Sequence, residues 1–327
     1  MNKSIPLTLL ATLALIGCQS NEMSDEDRIE YYAESAFVHY EGNDLARAES
    51  QALKGLAIDS RHIPLNLMMG WILLRQDNRV TIVRAEQVFR RLVEDEDSED
   101  HRAFLGLATS LERLAALHEE AANAVASGKR KTDAPDRAAR ALELQADALS
   151  MREESLELFQ TTLESRSKNV KALNGAMRVS SVLGRSEESL AYCNRLLATL
   201  TSERNFWTGL LQKEDLDGNE EQGLRDQISN AAELMIAACI FAANVEHDLG
   251  RNEAAVERLN LALELDPDLP EGYSMRAQLL AESGNLEEAV ADIDRFIARS
   301  DKPYEHPDIR KAFELLTTWN RTLKSNQ

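Results

Sequence analysis

Several residue types are scarce in this chain of 327 residues, which has 7 prolines, 14 glycines and only 5% aromatic residues. No stretch shows the sustained apolar and polar alternation of half-buried strands, which disfavours a strand-rich sandwich or barrel. Alanine, leucine and glutamate dominate the composition instead. This balance favours an all-α fold.

Positive charge is also in short supply, because 37 basic residues stand against 56 acidic ones and the formal net charge is −19. Binding to nucleic-acid phosphates requires clustered lysine and arginine, so we predict no nucleic-acid partner. The acidic surface is typical of a soluble, self-repelling protein, and a partner steered by charge would carry basic or neutral patches.

Recognisable catalytic and metal-binding patterns are missing as well. The six histidines are scattered, and no nucleophile, base and acid can be grouped by their spacing. Asp215 to Asn219 resemble the opening of a calcium-binding loop, but Glu220 stands where that loop requires glycine. We therefore predict no catalytic residue, no metal site and no cofactor.

The N-terminal segment has the pattern of a targeting signal, with Lys3 followed by an apolar run from Ile5 to Ile16. Twelve residues are too few for a membrane-spanning helix, which needs about 20. Leu15 to Cys18 resembles the lipobox of bacterial lipoproteins. The resemblance implies a signal peptide over 1–17, a lipid on Cys18 and a tether over 18–28, with Gln19 typical of sorting to the outer membrane. The alternative is an ordinary secretory signal with an incidental cysteine.

A repeat is visible near the C-terminus, where Gly250-Arg251-Asn252-Glu253-Ala254-Ala255 is echoed by Gly284-Asn285-Leu286-Glu287-Glu288-Ala289. The echoed alanines lie 34 residues apart, which is the period of a helix-turn-helix repeat. The spacing of Ala262, Pro267, Ala277 and Phe296 also resembles the tetratricopeptide repeat (TPR) pattern. This resemblance implies an all-α TPR-type solenoid of about six repeats with a C-terminal capping helix.

The period predicts the organisation of the rest of the chain. TPR-like repeats occupy 29–200, an acidic insertion 201–227, a TPR pair 228–301 and a capping helix 302–327. Within the first region, the repeat over 101–165 has about twice the usual length. It is either one long helical hairpin or a decayed extra repeat. We favour the hairpin, because a single break at 128–134 interrupts its helical pattern.

Two surfaces are candidates for binding a partner. The concave groove of TPR proteins is lined by the first helix of each repeat, and its predicted polar residues here are Asn174, Arg178, Ser181, Asn244, His247, Ser274 and Gln278. The tip of the long hairpin carries three consecutive basic residues, Lys129, Arg130 and Lys131, suited to anionic headgroups or an acidic partner. In both cases the alternative is a solvated surface.

These patterns indicate a non-catalytic scaffold, anchored by lipid to the periplasmic face of the outer membrane, that binds a protein or peptide of the cell envelope. One alternative is an envelope hydrolase whose site lies between 201–227 and the groove, and another is a structural subunit of an envelope assembly. Cys193 and Cys239 would be two packed thiols or, in an oxidising compartment, a disulfide.

Overall fold

A computed structural model of the protein describes residues 23–94, 100–129, 136–213 and 216–325. These residues form thirteen α-helices and no strand, and the chain divides into two compact units between Asp77 and Asn78. The predicted signal peptide, Cys18, Arg130 and Lys131 lie outside the described residues.

The first unit contains α1 (Asp25–Glu41), α2 (Leu45–Ile58) and α3 (Ile63–Arg75), and each helix contacts the other two. The helix α1 starts at Asp25 because the Ser24 side chain accepts a hydrogen bond from the backbone N–H of Asp27. The last four residues of the predicted tether 18–28 are therefore helical. A Cβ on Gly55 would lie 2.4 Å from Leu65, so this glycine permits α2 and α3 to approach closely.

The second unit contains ten helices, and each one contacts the next along the chain. Their bounds are α4 (Arg79–Glu94), α5 (His101–Ala126), α6 (Arg137–Ser165), α7 (Val170–Val182), α8 (Ser186–Leu211), α9 (Gly218–Asp248), α10 (Asn252–Leu265), α11 (Pro270–Glu282), α12 (Leu286–Arg299) and α13 (Pro307–Ser325). Short connections make consecutive helices antiparallel. This arrangement confirms the predicted all-α helix-turn-helix solenoid.

Close packing in the second unit depends on glycines that lie under aromatic rings. A Cβ on Gly106 would lie 2.3 Å from the Phe89 ring, and one on Gly175 would lie 2.2 Å from the Phe159 ring. Both phenylalanines are almost completely buried. The same contact therefore recurs between the second helix of one repeat and the first helix of the next.

The turns explain why glycine recurs with the repeat. Gly184, Gly250 and Gly284 have φ values of 73°, 74° and 85°, a conformation that other residues adopt only with strain. Each ends the first helix of a repeat and reverses the chain into the second.

The predicted long hairpin is formed by α5 and α6, which have 26 and 29 residues. Near its base the Ser155 hydroxyl donates to the Ala108 carbonyl at 2.8 Å. Farther out, five buried residues form a core of their own: Ala121, Ala122, Val125, Ala141 and Leu144. We call residues 117–129 and 136–152 the α5/α6 arm. The chain therefore has one lengthened hairpin here rather than a decayed repeat.

A second long hairpin is formed by α8 and α9, which have 26 and 31 residues. The predicted acidic insertion 201–227 continues these two helices except at the connection between Leu211 and Gly218. We call residues 201–213 and 216–230 the α8/α9 arm. Within the described residues, α9 is the one helix whose length and apolar composition would suffice to cross a membrane, and core helices of soluble proteins often meet the same criterion.

The last helix, α13, covers the end of the repeat array. Its Ile309 and Ala312 are buried against Phe296 and Ile293 of α12, and Trp319 packs beside them. The predicted capping helix is therefore present, because the apolar face of α12 would otherwise meet water.

Candidate partner-binding site

The predicted groove lies on the first helices of successive repeats, and α7 shows what these helices present. Asn174, Arg178 and Ser181 are spaced four and three residues apart, so they share one face of α7. Arg178 is exposed, and the other two are half-buried. This face is therefore polar, with one exposed and two half-buried side chains.

Arg178 is held by Glu112, which is not among the predicted groove residues. Its Nε and Nη2 donate to the two carboxylate oxygens of Glu112 on α5, both at 2.9 Å. Such a paired geometry fixes both side chains. The carboxylate therefore neutralises the guanidinium. The pair holds fixed hydrogen-bonding groups on this face and adds no net charge to it. No local pattern indicates this pair, because 66 residues separate its members.

On α9 the two predicted groove residues differ in their surroundings. Asn244 is exposed. His247 lies at the end of α9, where its Nδ1 is 2.9 Å from Oδ1 of Asn252 and 3.7 Å from Oε2 of Glu282. His247 therefore helps to hold the turn between α9 and α10 near the end of α11.

On α11, Ser274 is half-buried and Gln278 is exposed. They lie four residues apart and thus on one face of the helix. Together with α7 and α9, this makes a series of polar helix faces with both donors and acceptors. None of the seven predicted groove residues lines the cavity between α10, α11 and α12 or the one beside α2.

A cavity of about 270 Å³ lies elsewhere, between α10, α11 and α12. Its floor is the buried carboxylate of Asp292, which accepts hydrogen bonds from Arg276 at 2.7 and 2.9 Å and from Arg295 at 2.7 Å. Arg276 also donates to Asn260 at 2.6 Å, and its hydrogen bonds to the Asp292 carboxylate raise the pKa of Arg276. The arginines thus satisfy the buried acid, and we interpret the cluster as a link between three helices.

The two cysteines of the second unit are buried free thiols. The Cys193 thiol donates to the Ala238 carbonyl at 3.4 Å. Burial raises the pKa of Cys193 to about 11 and that of Cys239 to about 12. Thiolate is the reactive form, so both groups are inert at neutral pH. Of the two alternatives, the structure shows packed thiols.

At the end of the α5/α6 arm, Lys129 is exposed. It is joined there by Arg137, which begins α6, and by Arg140, whose Nη1 lies 2.6 Å from Oε2 of Glu143. Neither arginine belongs to the predicted tip, because both follow the helix start rather than the run of basic residues. The described part of the tip is therefore basic.

The described residues contain no group of three or more potential metal ligands. Four histidines have separate acidic neighbours, with His101 near Asp100, His118 near Asp147, His247 near Glu282 and His306 near Asp308. They are therefore distributed over the fold rather than gathered in one site.

Residues 243–284 match the sequence profile of a family described as TPR repeat. No curated protein matches the chain by sequence. Solved structures to which this chain is similar include three repeat-containing or related proteins. A MamA RS-1 double mutant has 11% identity, covers 72% of this chain and 92% of its own, and has a TM-score of 0.45. PilF of Pseudomonas aeruginosa has 12% identity, 93% coverage of both chains and a TM-score of 0.37. A tetratricopeptide repeat protein from Parabacteroides merdae has 14% identity, covers 89% of this chain and 99% of its own, and has a TM-score of 0.34. These values establish no shared function.

The profile match and the paired helices show that the chain contains TPR-type repeats. Stacked repeats of this class form extended surfaces that bind proteins. The architecture is therefore that of a protein–protein interaction scaffold.

Proposed function

We propose that this protein is a non-catalytic adaptor that binds an extended or helical segment of a cell-envelope protein along the polar faces of α7, α9 and α11. The observation that carries the proposal is the recurrence of exposed amide side chains on these first helices, Asn244 on α9 and Gln278 on α11. Amides offer a donor and an acceptor together, as a peptide backbone requires.

The ion pair between Arg178 and Glu112 supports the proposal, because it joins α5 to α7 on this side of the repeats. A fixed pair costs little further side-chain entropy when a ligand binds. A peptide backbone has no net charge, and the pair presents none to it. The proposed specificity therefore comes from the fixed positions of the hydrogen-bonding side chains rather than from electrostatic attraction between the two proteins.

The second part of the proposal concerns location. A lipid on Cys18 would attach the protein to the envelope, on the periplasmic face of the outer membrane. The support is the lipobox-like segment and Gln19 in the sequence. With α1 starting at Asp25, only six residues separate Cys18 from the first helix. At about 3.5 Å per residue, they would hold the first unit within roughly 25 Å of the bilayer.

The groove is tested by placing a photo-crosslinking residue at Gln278 in cells and at the exposed Glu257 of α10 as the matched control. We expect one defined adduct from Gln278, none from Glu257, and loss of the adduct in an Asn244→Ala background. Equal adducts from both positions would show that the contact is not made by the groove.

The anchor is tested separately by the Cys18→Ser variant and by mass spectrometry of the mature N-terminus. We expect the wild-type protein in the membrane fraction with an acylated Cys18, and the variant without acyl chains. An unmodified Cys18 in the mature protein would refute the anchor and leave the groove proposal unaffected.

A further inference from the structure

The two arms point to opposite edges of the second unit. Because consecutive helices are antiparallel, the connection from α5 to α6 lies on the same edge as the turns at Gly184, Gly250 and Gly284. The connection from α8 to α9 lies on the edge where second helices end. At 1.5 Å per residue, the 11 residues from 201 to 211 of α8 extend about 17 Å.

The α8/α9 arm leaves apolar side chains without full cover. None of its described residues is buried, and Phe206 is 64% exposed. Trp207, Leu224 and Ile228 are only half-buried. Two helices alone do not cover these side chains, so this face has the character of an incomplete interface.

The same arm is acidic. Residues 201–227 contain seven acidic and three basic side chains. Among the exposed ones are Glu220 and Asp226 on the first turns of α9. The apolar face is therefore bordered by negative charge.

The end of the α5/α6 arm carries the opposite charge. Among its described residues, 129 and 136–140, three side chains are basic (Lys129, Arg137 and Arg140) and one is acidic (Asp136). Directly after them, Leu142 and Leu149 of α6 are 66% and 53% exposed. Seven residues apart, they lie on one face of the helix. A basic end is thus followed by two exposed leucines.

We propose that the α5/α6 arm of one copy of this chain docks on the α8/α9 arm of a second copy. Leu142 and Leu149 would cover the aromatic face around Phe206, and Arg137 and Arg140 would face the acids of α9. The arms of one chain point to opposite edges and cannot meet each other. The contact is therefore heterologous, and it builds rings or open chains of copies.

The test uses two charge-reversed variants of the full chain, purified in detergent and carrying different tags. Variant A is Arg137→Glu with Arg140→Glu, and variant B is Glu221→Lys with Asp226→Lys. We expect wild-type copies to copurify at about 50 mM salt. At about 500 mM salt their association should be weaker by at least about tenfold, because exposed charges are screened. Each variant should lose self-association by a similar factor.

Mixing A with B provides the decisive measurement. Both contacts between A and B pair opposite charges, whereas those within A or within B pair like charges, so the mixture should copurify although neither variant does alone. This restoration also shows that both variants are folded. The matched control, Glu253→Lys with Glu257→Lys on α10, should copurify with itself like the wild type.

Three results would overturn the proposal: wild-type copies that never copurify, single variants that associate like the wild type, or a mixture of A and B that stays apart. Vesicles of anionic phospholipid that bind the wild type but not A, without copurification of copies, would assign the basic arm to a membrane surface. That result would equally overturn it.

Discussion

Both arms are hairpins of two long helices, and they differ in how closely their two helices pack. In the α5/α6 arm, small buried residues such as Ala122 and Ala141 let the helices approach, and Val125 and Leu144 fill the remaining space. In the α8/α9 arm, a Cβ on Gly209 or Gly223 would meet nothing within 4 Å. A helical hairpin thus forms a buried core of its own when small residues lie where its helices approach. Larger apolar residues without such small ones leave the helices too far apart to bury them.

The largest expected difference comes from a charge placed in each arm. Val125→Asp puts a carboxylate among buried apolar residues and should destabilise the protein by about 3 kcal/mol. Leu210→Asp, at a half-buried position of the other arm, should cost less than about 1 kcal/mol. Urea unfolding measures both values. Equal losses would show that the two interfaces are equally closed.

Glycine substitutions should have opposite signs at two positions. Gly106→Ala forces a methyl group against the Phe89 ring and should destabilise by about 2 kcal/mol. Gly223→Ala enters open space in a helix interior and should stabilise by about 0.5–1 kcal/mol. Thermal unfolding of the two variants beside the wild type tests this. A destabilising Gly223→Ala would show that the α8/α9 arm is already closely packed.

The N-caps give a smaller effect that should be equal in the two arms. Asp136 caps α6 with hydrogen bonds at 2.9 and 3.2 Å, and Asp217 caps α9 with two at 2.8 Å. Replacing either by alanine should cost about 1 kcal/mol of helix stability. Amide exchange in the first turns of α6 and α9 reports the change. Unchanged exchange in α9 would mean that the cap does not limit its fraying.

A difference of another kind, in pH dependence, concerns the thiols, which lie where α8 and α9 again pack tightly. The folded pKa values of about 11 and 12 exceed the ordinary value of 9.0, so the folded state holds protons that the unfolded state releases. This contribution is complete below about pH 9 and is lost as the pH rises towards 12. The wild type should therefore lose more stability between pH 8.5 and about 10.5 than a Cys193→Ala, Cys239→Ala variant. Parallel losses would contradict this.

Much of the fold follows from the repeat. The echo of Gly250 at Gly284, with alanines 34 residues apart, predicts paired helices, their turns and the cap. The single break near Gly128 also predicts the α5/α6 hairpin. The α8/α9 arm was harder to predict, since the acidic residues of 201–227 are typical of a solvated connection and are also good helix formers.

For the candidate site, the sequence predicts polar faces through helical spacing, as for Asn174 and Arg178. It does not indicate that Glu112 holds Arg178, or that Asp292 is buried beneath Arg276. These pairs bring together residues from different helices, and no local periodicity relates their positions.

The sequence by itself determined the helical class and the 34-residue unit, because helix formation and turn chemistry are decided by residues a few positions apart. Only the tertiary structure decided which hairpin closes on itself, which charges are neutralised and which apolar side chains remain uncovered. Those outcomes depend on how closely two helices approach, and that distance is set by side chains far apart in the chain.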